Sequence, residues 1–427
     1  MRIKTFIYIL SLSLLPTVLP ATAQEKIIVL DEGSWQSDNG RISYFEDGRI
    51  VSNEWFRQVN GHKLGDTPND IVQVNAELLA IAVNWSNIIQ FIRPDGTAVA
   101  ATEDVPNNRK LATDGRYVYV SSYAHECVIG GETRTFTRGY VAKIDASTFT
   151  VTDAVEVGYE PEGLALYDGS LFVVNTGGYA FQEGHDYETS IDVIDTATMQ
   201  KVRSVETGQI NLFGKISASG RYLCINSPGD HYEIPAATII LDMEKVLSGT
   251  PDADCFVKLD RAATYNCTGR DGRFLAVGSH FSYITGEQSF DYITIDPAQA
   301  MATGGREGVS EEMPGTLRQD LMKLTNPYCI YVNPYTGYIY ATDAGAYVSA
   351  GTMYQWTPQG EPTGNWRIYI NPGTILALDP DASGIENIEA APETGSTIYN
   401  LLGIPVTDPQ PGNLYIRAGH KFIYRGN

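Results

Sequence analysis

The chain repeats itself, and a repeat of this length decides what it can fold into. The clearest unit begins Tyr159-Glu-Pro-Glu-Gly-Leu-Ala-Leu, turns at Tyr167-Asp-Gly and continues Ser170-Leu-Phe-Val-Val-Asn. After an insertion it resumes as Ser190-Ile-Asp-Val-Ile-Asp, turns at Thr196-Ala-Thr-Met and ends Lys201-Val-Arg-Ser-Val-Glu-Thr-Gly208. That pattern is four short strands, A to D, separated by turn residues. It recurs over 68–104, 106–158, 209–259, 260–324 and 325–370. Six complete units, each close to the ~40–50 residues of a propeller blade, predict an all-β propeller.

A seventh unit is split between the two ends. Ile27–Leu30 reads as a B strand, Arg41–Phe45 as C and Gly48–Asn60 as D, and Thr374–Leu378 supplies the missing A strand. Sharing one blade between the first and last strands hides the edge that an open ring would leave exposed. The expected fold is therefore a seven-bladed β-propeller over 24–378, followed by a linker over 379–396 and a small β module over 397–427.

Strand direction separates two faces. The A–B turns are tight, as at Asp114-Gly, Asp168-Gly, Ser219-Gly, Asp271-Gly and Thr336-Gly, and the C–D turns on the same face are mostly short. On the other face the B–C connections expand at 122–138, 176–189, 227–236, 279–290 and 343–351. Long loops on a rigid scaffold are where binding residues gather. The candidate ligand-binding residues on the B–C side are Trp35, Trp85, Tyr123, Tyr179, Phe181, Tyr232, His280, Phe281 and Tyr347. The D–A side adds Asn69, Tyr159, Glu160, Glu162, Phe213, Tyr265, Asn266 and Tyr328. Aromatic rings with polar tips, mixed with amides and acids, suit a large amphipathic ligand.

Chemistry motifs are scarce. There is no H-E-x-x-H, no P-loop, no G-x-G-x-x-G and no G-x-S-x-G, so the sequence predicts binding rather than catalysis, with no metal and no resident cofactor. His125, His185, His231 and His280 fall on the loop face of neighbouring units. The five cysteines contain no C-x-x-C pair and are expected as free thiols in strands.

At the N-terminus, Arg2 and Lys4 precede an apolar run over 6–19 and an Ala21-Thr-Ala cleavage pattern, which predicts a signal peptide over 1–23 and hence an exported protein of the periplasm, cell surface or extracellular space. No later stretch is long and apolar enough to cross a membrane as a helix. The formal net charge of −21, two units more negative without Arg2 and Lys4, excludes nucleic acid as a natural partner.

The unit containing Leu171-Phe-Val-Val-Asn and Ile191-Asp-Val-Ile-Asp-Thr-Ala-Thr resembles the YVTN-type propeller repeat. Val29-Leu-Asp-Glu-Gly-Ser-Trp, Thr67-Pro-Asn-Asp-Ile and Asn84-Trp-Ser-Asn resemble BtuG-type surface propellers. That second resemblance implies capture of cobalamin or a related corrinoid on one face, with hand-over to an outer-membrane transporter. The positions matching its pattern are Glu32, Gly33, Asn69, Asp70, Asn84 and Asn87, but the chain lacks the lipid-attachment cysteine of the vitamin-binding members. The stretch from Ile398-Tyr-Asn-Leu-Leu-Gly to Leu414-Tyr-Ile-Arg-Ala-Gly-His-Lys resembles C-terminal sorting modules of the same bacterial group. Three functions stay open on the sequence: a corrinoid-binding protein, a propeller that binds a glycan, peptide or partner protein, and a propeller enzyme.

Overall fold

A computed structural model describes residues 25–379 together with 398–399, 405–406, 414–417 and 420–424. The expected signal peptide, and the linker apart from Asp379, lie outside the described residues.

Seven four-stranded antiparallel sheets make the ring. Blade 1 pairs Arg49–Ser52, Arg41–Glu46 and Lys26–Asp31 with Pro372–Ala377, joining the two ends of the propeller. Blades 2 to 7 start with inner strands Pro68–Asn75, Asn108–Thr113, Pro161–Tyr167, Phe213–Ser219, Tyr265–Thr268 and Pro327–Val332. Each inner strand packs on the next, and Pro372–Ala377 closes the circle between blades 7 and 2. The closing register runs Ile27 to Ala377, Ile28 to Leu376 and Val29 to Ile375, as the split unit predicts.

Alternation explains why these sequences form stacked sheets. Successive side chains of a strand point to opposite faces, and a blade inside a ring has a neighbour on both. In strand Lys26–Asp31, Ile27 and Val29 pack with Tyr340 and Met353 of blade 7, while Ile28 and Leu30 pack with Ile71 and Leu79 of blade 2. Seven buried apolar clusters among the described residues sit one at each junction between blades. The tight A–B turn at Asp168-Gly169 has positive φ at both residues (46° and 72°), the geometry of the hairpin turn whose twist matches the strands.

Three expectations need correction. Gly48–Asn60 is not one strand: Arg49–Ser52 is extended, and Trp55–Asn60 is a helix that buries Trp55 and Phe56. The C–D connections of blades 5 and 6 are not short turns but carry helices Met243–Leu247, Asp252–Cys255 and Pro297–Thr303, which leave blade 6 an outer strand of only Val309–Ser310. Two of these helices start where Asp242 and Asp296 accept backbone N–H bonds as caps, a local signal that competes with strand pairing. All five cysteines are free; Cys255 ends a helix rather than lying in a strand.

Four short strands, Ile398–Tyr399, Pro405–Val406, Leu414–Arg417 and His420–Ile423, form a separate small sheet.

Candidate functional site

The inner strands begin on the loop face, so their first residues ring the axis. They enclose a well of about 320 Å³ to which every blade contributes. Blade 1 gives Glu32 and Thr374, blade 2 Asn69, and blade 3 Arg109 and Lys110. Glu162 comes from blade 4, Phe213 and Lys215 from blade 5, Tyr265 and Asn266 from blade 6, and Tyr328 and Cys329 from blade 7.

Two ion pairs stand at the well. Glu162 is fully buried and meets the Arg109 guanidinium at 2.7 and 2.9 Å, and the Tyr123 hydroxyl donates to the same carboxylate oxygen. The guanidinium lies 4.6 Å from the centre of the Tyr123 ring. Burial acts to raise the pKa of Glu162, but the charges of Arg109 and Lys110 and the bonds from Tyr123 and Arg109 together outweigh it and hold the carboxyl below the usual range. Across the ring, Lys215 of blade 5 bonds Asp70 of blade 2 at 2.9 Å, and the other Asp70 oxygen accepts the Leu111 N–H. The crowded well acts to lower the pKa of Lys215, whose side chain is half exposed, and the charge and hydrogen bond of Asp70 together more than reverse it. Lys110 donates to the Asn69 carbonyl at 3.0 Å.

Glu32 accepts from the Tyr328 hydroxyl at 2.8 Å, and burial raises its pKa despite Lys110 and Tyr328. Gly373 leaves it room: a Cβ there would stand 2.5 Å from a Glu32 oxygen. Burial pushes the Cys329 thiol up to about 11, so it stays protonated at neutral pH and is a poor nucleophile.

Some polar groups in the well have no protein partner. Both amide atoms of Asn69 and of Asn266 are buried and unbonded, as is the second oxygen of Glu162. Asn69 is 4% exposed and Asn266 7%. Leaving a buried polar group unsatisfied costs about 1–3 kcal/mol, so such groups mark a place built to be filled.

A second cavity of about 410 Å³ opens beside the well, among blades 3 to 6, and shares Arg109, Phe213 and Thr264 with it. Tyr123, Tyr179, His280 and Phe281 line this cleft.

The structure sorts the sequence-predicted residues into three groups. Glu32, Asn69, Tyr265, Tyr328 and Phe213 line the well, with Asp70 held behind it by Lys215. Tyr123, Tyr179, His280 and Phe281 line the cleft, again with Phe213. The others stand on the rim in local pairs: Trp35 with Trp85 at 5.0 Å, Tyr159 stacked on His185 at 3.9 Å, Phe181 with Tyr187, and Tyr232 with Tyr283. Tyr347 reaches inward to touch Tyr328. Asn87 braces a loop by accepting the Asn107 N–H, and Glu160 accepts the Tyr179 N–H. The four loop-face histidines do not converge: His231 stacks on His280, His185 on Tyr159, and among the described residues no group of three or more His, Cys, Asp or Glu is placed to hold a metal.

Sequence reasoning missed Arg109, Lys110, Lys215 and Asn226. The available signal was three cations near the starts of inner strands in a strongly acidic chain.

Fold and site together define a seven-bladed β-propeller with a polar axial well on its long-loop face. No protein-family model matches the chain, and no curated protein matches it in sequence. Solved structures share the fold. A hypothetical selenium-binding protein from Sulfolobus tokodaii superposes with a TM-score of 0.55 at 10% identity, over 83% of this chain and 93% of that one. A functionally unknown protein from Desulfotomaculum acetoxidans gives 0.51 at 11%, over 84% and 99%. Hydrazine synthase from Kuenenia stuttgartiensis gives 0.51 at 15%, over 73% and 95%. These likenesses establish the propeller; the narrower YVTN-type and BtuG-type resemblances find no support in them.

Proposed function

We propose that this chain is an exported binding propeller whose axial well takes a neutral ligand rich in amide, carbonyl or hydroxyl groups. The unpartnered amides of Asn69 and Asn266 carry this reading. Two ion pairs and the hydrogen bonds of Lys110 and Glu32 to uncharged groups engage the charged side chains of the well, so a charged ligand would have to displace one of these contacts. Groups that both donate and accept complement the free amides directly.

A corrinoid, large and fringed with amides, is the first ligand to test, and its capture would imply hand-over to an outer-membrane transporter. A glycan is the second reading, favoured by the exposed Trp35–Trp85 and Tyr232–Tyr283 pairs, which offer flat surfaces to sugar rings. Binding rather than turnover is the role that paired charges and a protonated Cys329 support.

The test is calorimetric titration of the mature protein with cyanocobalamin and, separately, with a glycan panel, for wild type and Asn266→Ala. One-to-one binding of either ligand that weakens about tenfold in the variant supports the well as the site. Binding that Asn266→Ala and Asn69→Ala leave untouched refutes it.

A further inference from the structure

The cleft beside the well has a chemistry of its own. Its walls are Pro228, Ala236, Ala262 and Ala263, with the rings of Tyr179, Phe213 and Phe281. Phe213 and Phe281 are partly exposed at 41% and 36%. A third side is a pair of stacked imidazoles, His231 and His280, with centroids 4.8 Å apart and planes within 7° of parallel. The loop holding His231 is fixed by Asp230, whose carboxylate accepts the N–H groups of Tyr232 and Ile234. The ring of His231 is held by the Phe281 carbonyl at 3.2 Å.

Two buried nitrogens at this cleft lack partners, Asn226 Nδ2 and His280 Nε2. Asn226 is 2% exposed, and its carbonyl oxygen is already engaged by Thr238 at 3.3 Å, which orients the amide and leaves its N–H₂ as a donor. The Pro228 carbonyl favours a proton on the His280 ring, and a proton on Nδ1 leaves Nε2 a lone pair. Burial and the neighbouring His231 both lower the pKa of His280, which keeps that lone pair free at neutral pH. The cleft thus offers aromatic faces and two unpartnered nitrogens, in a space whose walls also carry Thr176, Thr264 and Ser279. Its volume lies in the ~300–1,000 Å³ range of small-molecule pockets.

We propose that this cleft binds a planar heteroaromatic ring carrying a hydrogen-bond donor and an acceptor on its edge, joined in the same ligand to the polar part that fills the well. The ring half stands on the cleft alone; the joining of the halves rests on the well being a ligand site. Continuity supports it, because Arg109, Phe213 and Thr264 border both spaces. Nitrogen heterocycles stack on aromatic side chains whatever their substitution, and the two free nitrogens select those with a mixed polar edge.

Saturation-transfer NMR on the whole mature protein, with adenine, indole and adenosine as probes, tests this. Adenine supplies both edge functions, indole only a donor, and adenosine adds a hydroxylated sugar to the adenine ring. The expected order is adenosine at least tenfold tighter than adenine, and adenine tighter than indole. Phe281→Ala, at an exposed strand end, and His280→Ala are each expected to weaken adenine and adenosine about tenfold, while Asn266→Ala weakens adenosine alone. No transfer to either ring in wild type, or transfer unchanged by both cleft variants, overturns the proposal. Adenosine no tighter than adenine overturns the joining of the halves. If Asn266→Ala changes neither adenosine, cyanocobalamin nor glycan binding while adenine still depends on Phe281 and His280, the reading of the well fails and the ring site stands.

Discussion

The axial well and the loop rim occupy the same face of one ring, yet they are built on opposite principles. The well is made of strand starts, so its side chains are fixed by backbone that the inter-blade cores already hold. Ion pairs lock it between neighbouring blades, Arg109 to Glu162, and across the axis, Lys215 to Asp70. The rim is made of loop tips whose aromatics pair with a neighbour in the same or the next loop, and Phe181 stands 79% exposed. Rigidity and desolvation reside in the first region, and adaptable area in the second. A ligand would gain orientation from the well and contact from the rim.

The sharpest test of this contrast is removal of a charge from the well. Arg109→Ala leaves the Glu162 carboxylate buried and unpaired and is expected to cost about 3–5 kcal/mol in chemical denaturation. The pH dependence has a definite sign. Glu162 has a depressed pKa, so the stability it brings is fully present above the ordinary carboxylate range and is lost as pH falls through its lowered value. The gap between wild type and Arg109→Ala should therefore narrow in acid.

Asp31, in the closing blade, has the opposite sign. Burial raises its carboxyl to about 7 despite the bond from Ser43, and one of its oxygens has no partner. Its contribution is fully present below the ordinary carboxylate range and is lost as pH rises through about 7. Asp31→Asn should gain roughly a few kcal/mol over wild type at pH 8 and nothing at pH 4, read from denaturation midpoints.

Smaller effects follow on the rim. Trp85→Ala removes an edge-to-face contact with Trp35 and should change stability by no more than about 0.5–1.5 kcal/mol. Phe181→Ala should stay within about 0.5 kcal/mol in thermal melts. If Phe181→Ala destabilised the protein as much as Arg109→Ala, the division into fixed well and adaptable rim would be wrong.

Much of the fold was legible because a blade is a local object. Four alternating runs with glycine turns lie within about 50 residues, and the split unit predicted the pairing of Ile27–Leu30 with the strand that ends near residue 378. Departures arose where a local helix signal overrode the repeat, as at the caps Asp242 and Asp296. The site was only half legible. Loop aromatics announce themselves by type and position, and Tyr123, Tyr179, Phe213, His280 and Phe281 were found that way. Lys215 was not, because inside its own blade it is one more polar residue on a strand. Its partner Asp70 lies 145 residues away and meets it only when the ring is closed. Arg109 and Lys110 were hidden for the same reason, and Asn226 because an asparagine ending a strand reads as a turn residue.

The seam in blade 1 has a consequence for synthesis on the ribosome. Glu32 is among the first described residues, but its backbone N–H bonds Asn371, and Gly33 bonds Ile370. The carboxylate of Glu32 meets Tyr328 beside Gly373. The well is thus bounded by residues separated by nearly the whole propeller, and a nascent chain halted before its last strand presents no finished cavity. On the proposed binding role, capture would be a readout of completeness: only a molecule whose end has returned to its beginning would bind.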